Sequence, residues 1–181
     1  MTDGAARYGG VAIALHWTGA ALVVGGFALG LFMTGLEFSP AKLRYYAWHK
    51  WIGITAFIVA AARLAWRAAV PPPPLPDTVP TWQRTTAANV HRLLYALLLV
   101  VPVSGWLYSS ATGVSVVYLG LVPLPNLVAK DRDVARGLLL LHQSLNFTLA
   151  LAVTVHVAAA LWHRFVVRDA VLARMLPGRR R

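Results

Sequence analysis

The sequence contains no cysteine. That excludes disulfides, iron–sulfur clusters and the covalent C-x-x-C-H attachment of a c-type haem. Acidic residues are also scarce: there are six, against 17 Lys and Arg, giving a formal net charge of +11 over 181 residues. Charged residues of both signs make up 13% of the chain, while 58% is hydrophobic and the mean hydropathy is +0.60. So little charge is the composition of a chain solvated by lipid, with long apolar stretches. No cleavable leader is expected, because the first apolar run is too long for the h-region of a signal peptide.

Four apolar stretches are predicted to span a membrane, at about residues 11–36, 46–69, 91–111 and 137–164. Each is near the ~20 helical residues that a hydrocarbon core of ~30 Å requires. The chain is read as one domain, an all-α integral membrane protein folded as a four-transmembrane-helix bundle. The second span is the weakest by hydropathy, since its uncharged run covers only residues 51–62 and Lys50, Arg63 and Arg67 must snorkel toward the interfaces. Residues 70–80 hold Pro71 to Pro74, Pro76 and Pro80 and read as an extended connector, because proline cannot continue a helix. Residues 81–89 are expected on the membrane surface, Pro102 and Gly105 predict a kink, and residues 168–181 form a basic tail. Gly26 and Gly30 form a G-x-x-x-G pair, suited to close helix packing or to a flat face against a planar cofactor.

Four spans put both termini and the middle connector on one side. That side carries 11 of the Lys and Arg residues and the other carries six: Lys42, Arg44, Lys50, Lys130, Arg132 and Arg136. The excess places both termini in the cytoplasm. The basicity is thereby a topology signal and a contact with anionic lipid, and no nucleic-acid partner is expected.

The fourth stretch organises the rest. Residues 137–163 contain no Asp, Glu, Lys or Arg, yet they hold His142, His156 and His163, spaced fourteen and then seven apart. Fourteen helical residues fall about 40° short of four full turns, so these imidazoles share one stripe, with His142 and His156 ~21 Å apart along the axis. An ionisable side chain at membrane depth marks a functional site facing the bundle interior. The topology puts His49 and His142 near the outer leaflet and His16, His91, His156 and His163 toward the inner one. A six-coordinate haem iron takes two axial imidazoles. The outer pair is then His49 with His142; for the inner pair, His16 with His156 is chosen because His91 and His163 lie closer to the water boundary. Zinc would want three or four ligands on one point, often with Cys or a carboxylate, and fits worse. The expectation is two b-type haems, with His16, His49, His142 and His156 as iron ligands.

These residues carry a resemblance. One histidine in the first span, one opening the second and two fourteen apart in the fourth resemble the bacterial cytochrome b561 family of small di-haem membrane proteins. The pattern is also similar to the haem b subunits of respiratory formate dehydrogenases and hydrogenases. Leu15-His16-Trp17, the run from His156 to His163, Arg168-Asp169 and Met175-Leu176-Pro177 are similar to the stand-alone branch of the family. The resemblance implies a multi-pass protein of the bacterial inner membrane that moves electrons through two b haems from an outer donor, superoxide in that branch, to ubiquinone on the cytoplasmic side. The alternative it leaves open is a haem b anchor subunit serving a partner dehydrogenase.

Under that implication the six outer cations, facing only Glu37, Asp131 and Asp133, give a net of about +3 that would steer a small anion inward; they also suit a solvated loop. His163, at the water boundary beyond His156, is the candidate proton donor to quinone, or a helix cap. Trp17, Arg84 and His91 are candidate contacts to quinone or haem, and Trp17 equally suits an interfacial anchor.

Overall fold

Helices α1 (Gly10–Thr34), α2 (Pro40–Ala69), α3 (Thr81–Thr112) and α4 (Arg132–Trp162) carry the fold. The structure, a computed structural model, describes residues 7–74 and 79–178. Residues 75–78 of the proline-rich connector and Arg179, Arg180 and Arg181 of the basic tail lie outside the described residues. All four helices are long and apolar enough to cross a membrane, the last one counted through the turn beyond its end. They pack as neighbours in sequence order, α1 on α2, α2 on α3 and α3 on α4.

The bundle is ordered by lipid as solvent. Val24, Leu31, Leu140, Phe147 and Leu151 face outward, while Ser104, Ser109 and Ser110 are buried. A small apolar core forms around Leu97, Val101, Leu149 and Ala152, packed by Phe27, Leu94 and Leu145. Between membrane helices no hydrophobic force separates inside from outside, so small and polar residues settle at the helix contacts.

Three helices begin earlier than hydropathy predicts, and the local chemistry accounts for it. Before α2, Ser39 accepts a hydrogen bond from the Lys42 amide at 3.2 Å and Pro40 occupies the first helical position. Before α4, the Asp131 carboxylate accepts from the Asp133 and Val134 amides at 2.8 and 3.0 Å. Residues 81–89, expected on the membrane surface, are instead the first turns of α3. No glycine or proline interrupts Thr81 to Val101, so the backbone continues past the edge of the apolar window. Pro102 sits inside α3 without ending it, and the helix stops at Gly113, whose φ of +79° supplies the left-handed cap.

The long loop after α3 holds an element the sequence did not announce. Strands β1 (Val117–Tyr118) and β2 (Val122–Pro123) form a short antiparallel hairpin around Leu119 and Gly120, both at positive φ. It lies back on the helices: Trp51 Nε1 donates to the Val117 carbonyl at 2.7 Å, and Thr55 and Tyr118 share a hydrogen bond of 3.0 Å. Two-residue strands leave no alternation to read.

After α4 the chain makes a π-helical turn (His163–Val167), reverses at Arg168 with φ +58°, and returns under the bundle through a 3-10 turn (Ala173–Met175). Arg174, expected in a basic tail against lipid, is only 3% exposed. Its guanidinium donates to the Pro73 and Pro74 carbonyls at 2.9 Å each and lies over the Tyr8 ring. Arg7 donates to the Leu176 carbonyl at 2.6 Å. Both ends of the described chain therefore meet at one end of the bundle, beside the proline-rich connector.

Candidate functional site

Two groups of imidazoles sit inside the bundle. At the end where the termini meet, α1 contributes His16, α3 His91 and α4 His156. The His16 and His156 ring centroids are 6.2 Å apart, and those of His91 and His156 are 5.3 Å apart. Among the described residues, His16 Nδ1 is buried with no hydrogen-bond partner. A buried imidazole nitrogen left unpaired in a dry site costs free energy and calls for an explanation.

That geometry tests the fit of a haem. A metal held between two imidazoles at the ~2.0 Å usual for metal–histidine bonds would put their centroids about 6.3 Å apart once the ring radius is added. The 6.2 Å between His16 and His156 fits this span, whereas the 5.3 Å to His91 is too short for the opposing ligand. Among the described residues, no group of three or more His, Asp or Glu is placed to hold a metal ion. Two-point ligation from separate helices is what the residues offer.

The surroundings of this pair are cationic. Arg63, on α2, acts electrostatically on His16, His91 and His156. Its guanidinium lies 5.3 Å above the Tyr95 ring centroid, a cation–π contact. Arg63, Arg67, His91, Tyr95, Tyr8 and Met175 line an open cavity beside the pair. Trp17 packs edge-on against His16, with centroids 5.2 Å apart, and donates its indole N–H to the Met175 carbonyl at 2.8 Å. It is thus both a wall of the site and a tie to the returning chain. Arg84 stands at the start of α3, where Nε donates to the Val79 carbonyl at 2.8 Å. His163 opens the π turn with Nδ1 2.6 Å from Asp169 Oδ2.

At the opposite end His49 of α2 and His142 of α4 lie within electrostatic range of each other. Glycines make room for both rings. A Cβ on Gly30 would stand 3.2 Å from His49 Cε1, and one on Gly105 would stand 3.0 Å from His142 Cε1. Gly26, the other half of the G-x-x-x-G pair, faces Ile52, so that motif serves helix packing and the histidine together. Among the described residues, His49 Nδ1, like His16 Nδ1, is buried with no hydrogen bond of good geometry.

His142 differs. Ser104, 2% exposed, donates its hydroxyl proton to the Val101 carbonyl at 2.7 Å and lies 2.8 Å from His142 Nδ1. A hydroxyl has one proton, and a carbonyl can only accept, so the serine oxygen must accept from Nδ1–H. That fixes the tautomer and leaves Nε2 with its lone pair free for a metal.

The six cations expected on the outer side, Lys42, Arg44, Lys50, Lys130, Arg132 and Arg136, are not drawn to one point. Lys42 Nζ donates to the Leu36 carbonyl, Arg136 pairs with Asp133 at 3.3 Å in the open, and Lys130 lies across Gly113. Arg44 and Arg132 are exposed, and Lys50 is half-buried.

Ser104, Arg63, Tyr95 and Asp169 were not singled out from the sequence as site residues. A serine or tyrosine in an apolar helix is too common to signal a role, and Arg63 was read as a snorkelling cation. Asp169 stood only within a resembling motif.

Four membrane-length helices enclosing paired histidines at two levels define a membrane electron-transfer cytochrome. The profile of the family described as prokaryotic cytochrome b561 matches residues 7–178. The chain is 35% identical over 184 residues to cytochrome b561 homolog 2 of Escherichia coli (strain K12), covering 97% of this chain and 94% of that one. Cytochrome b561 homolog 1 of the same organism is 26% identical, covering 96% and 99%. A protein of Yersinia pestis described as a probable superoxide oxidase CybB is 27% identical, covering 96% and 98%. The chain belongs to the prokaryotic cytochrome b561 family, whose members bind b-type haem, and is a multi-pass bacterial membrane protein.

Proposed function

We propose that the chain binds two b haems, one between His16 and His156 and one between His49 and His142, and passes electrons from superoxide outside to ubiquinone inside. The haems supply one-electron carriers near the two membrane faces. The observation that carries this reading is the pairing itself: His142 and His156 on one stripe of α4, His156 standing 6.2 Å from His16 and His142 within electrostatic range of His49. The resemblance to the Yersinia pestis protein supports superoxide as donor.

The reaction balances over two donors. Two superoxide anions each lose one electron and leave as dioxygen; ubiquinone takes those two electrons and two protons to become ubiquinol. Both termini and the proline-rich connector are cytoplasmic, in the inner membrane. The outer cations raise the local concentration of the anion. Protons must come from the cytoplasmic side, where His163 and Asp169 form a hydrogen-bonded dyad at the boundary. Asp169 holds Nδ1, which leaves Nε2 to give a proton to a quinone oxygen and draw another from water.

One feature favours the second reading, an anchor for a partner dehydrogenase. The outer hairpin presents Leu119 and Leu121 to the exterior, 52% and 80% exposed. Stopped-flow mixing of the isolated protein with superoxide and a short-chain ubiquinone separates the two. Quinol formation at near-diffusional rates by the protein alone supports the enzyme; reduction that stays slow without a partner returns it to an anchor.

A further inference from the structure

We infer that Ser104 and Arg63 set the two haem sites at different potentials, the His49–His142 site low and the His16–His156 site high, so that electrons run downhill from the outer end to the inner one. The inference rests on the two-haem reading above and adds the device that gives the transfer its direction.

The outer half of the device is a lone pair. Ser104 spends its only proton on the Val101 carbonyl, so its oxygen draws on the Nδ1–H of His142. An axial imidazole that donates such a hydrogen bond becomes a stronger base at Nε2. A more basic ligand favours the oxidised, more positive iron and lowers the potential. Ser104 is almost fully buried, so water does not compete for the bond. Among the described residues the buried Nδ1 of His16 has no partner, so the inner site has no counterpart of Ser104 at that atom.

The inner half is a fixed charge. Arg63 lies six residues from the end of α2, about 9 Å inside it at 1.5 Å per residue. It lines one cavity with His91, and its charge bears on His16 and His156 as well. Among the described residues its partner is Tyr95, and both described carboxylate pairs involve other cations, Arg136 with Asp133 and His163 with Asp169. Arg67, one turn on, acts on His91 as well. In a medium of low effective dielectric a guanidinium favours the reduced, less positive iron over several ångströms. The sign holds by either route, direct action on the iron or neutralisation of a haem carboxylate, because removing the cation makes the site more negative.

The two residues act in opposite senses on opposite ends. Ser104 is a positioning residue; Arg63 supplies field.

Redox potentiometry of the purified holoprotein tests this. The two optical waves are assigned to sides by the EPR relaxation that a membrane-impermeant dysprosium complex causes when added outside proteoliposomes. Wild type should show the outer haem at the lower potential. Ser104→Ala should raise that wave alone, and Ser104→Thr, which keeps the hydroxyl, should restore it. Arg63→Gln should lower the inner wave alone by about tenfold in the reduction equilibrium, equivalent to about 59 mV for one electron, and Arg63→Lys should hold it near wild type. An outer haem at equal or higher potential overturns the inference, and so does a Ser104→Ala variant whose potentials match wild type. If Ser104→Ala loses its haem, the wild-type order and the Arg63 pair still decide. Haem content is measured first: fewer than two haems per chain would overturn the underlying reading rather than the asymmetry.

Discussion

His163 Nδ1 stands 2.6 Å from Asp169 Oδ2 across a π turn, and the Asp169 amide donates back to the His163 carbonyl at 3.1 Å. A π turn adds a residue to the winding and rotates the chain beyond it. Here it ends α4 with His163 turned toward the returning segment, and Asp169 is further fixed by accepting from the Val171 amide at 2.9 Å. The imidazole is held in one orientation at the boundary where quinone would be protonated.

If that dyad delivers protons, His163→Ala should retain both haems and their reduction from the outer side. Reoxidation by ubiquinone should slow about a hundredfold, the low end of what a positioned general acid contributes. Asp169→Asn keeps the imidazole but loses the carboxylate that orients it, and should give a smaller loss of the same kind. Stopped-flow haem reoxidation measures both, and unchanged quinone turnover in His163→Ala would remove the dyad from the mechanism.

Haem content separates the two pairs. His49→Ala or His142→Ala should cost the outer haem, and His16→Ala or His156→Ala the inner one, each read by pyridine haemochrome and low-temperature spectra. His91→Ala should keep both, because 5.3 Å from His156 is too close for the opposing ligand of one iron. Loss of the inner haem in His91→Ala with retention in His16→Ala would reverse the assignment.

How much of this was legible in the chain depends on which property each feature obeys. Helical periodicity puts His142 and His156 on one stripe, and the burial cost of ionisable groups makes them candidates. Helix starts were not legible from hydropathy, because Ser39 and Asp131 act through the backbone amides they cap, not through lipid. Arg174 illustrates a deeper limit. Its charge read as a lipid contact, while its partners, the Pro73 and Pro74 carbonyls, lie about a hundred residues away and become neighbours only in the folded bundle. Ser104 is the same case at the site: its meaning comes from the carbonyl three residues back and a histidine on another helix.

The glycines opposite the outer histidines give a structural test. Gly105→Ala puts a methyl 3.0 Å from His142 Cε1, tighter than packed carbon atoms sit, and Gly30→Ala puts one 3.2 Å from His49 Cε1. Each ring must move, and overpacking of this kind costs about 1–3 kcal/mol. Both variants should bind the outer haem more weakly, with the inner one unaffected, and Gly105→Ala should be the worse. Gly26→Ala, at 3.5 Å from Ile52, meets ordinary contact and should leave haem content near wild type. Equal haem retention across all three would show that the rings do not depend on these positions.

The last prediction concerns the outer cations, whose surroundings differ enough to rank them. Arg136 already has Asp133 beside it, and the Lys42 ammonium donates to the Leu36 carbonyl. Lys50 is half-buried and adjacent in sequence to His49, so its charge is less screened by water than that of the exposed Arg44 and Arg132. Steering is a property of the summed field, so no single neutralisation should abolish it. Lys50→Gln should slow the superoxide step most among single variants, and Arg136→Gln least, because the Arg136 side chain is 75% exposed and its charge is well screened by water. Neutralising Lys50, Lys130, Arg132 and Arg44 together should slow it further and flatten its dependence on ionic strength, with haem content unchanged. Pulse-radiolysis rates at several salt concentrations measure both quantities. A rate insensitive to salt in wild type, and to the combined variant, would assign these residues to headgroup contact alone.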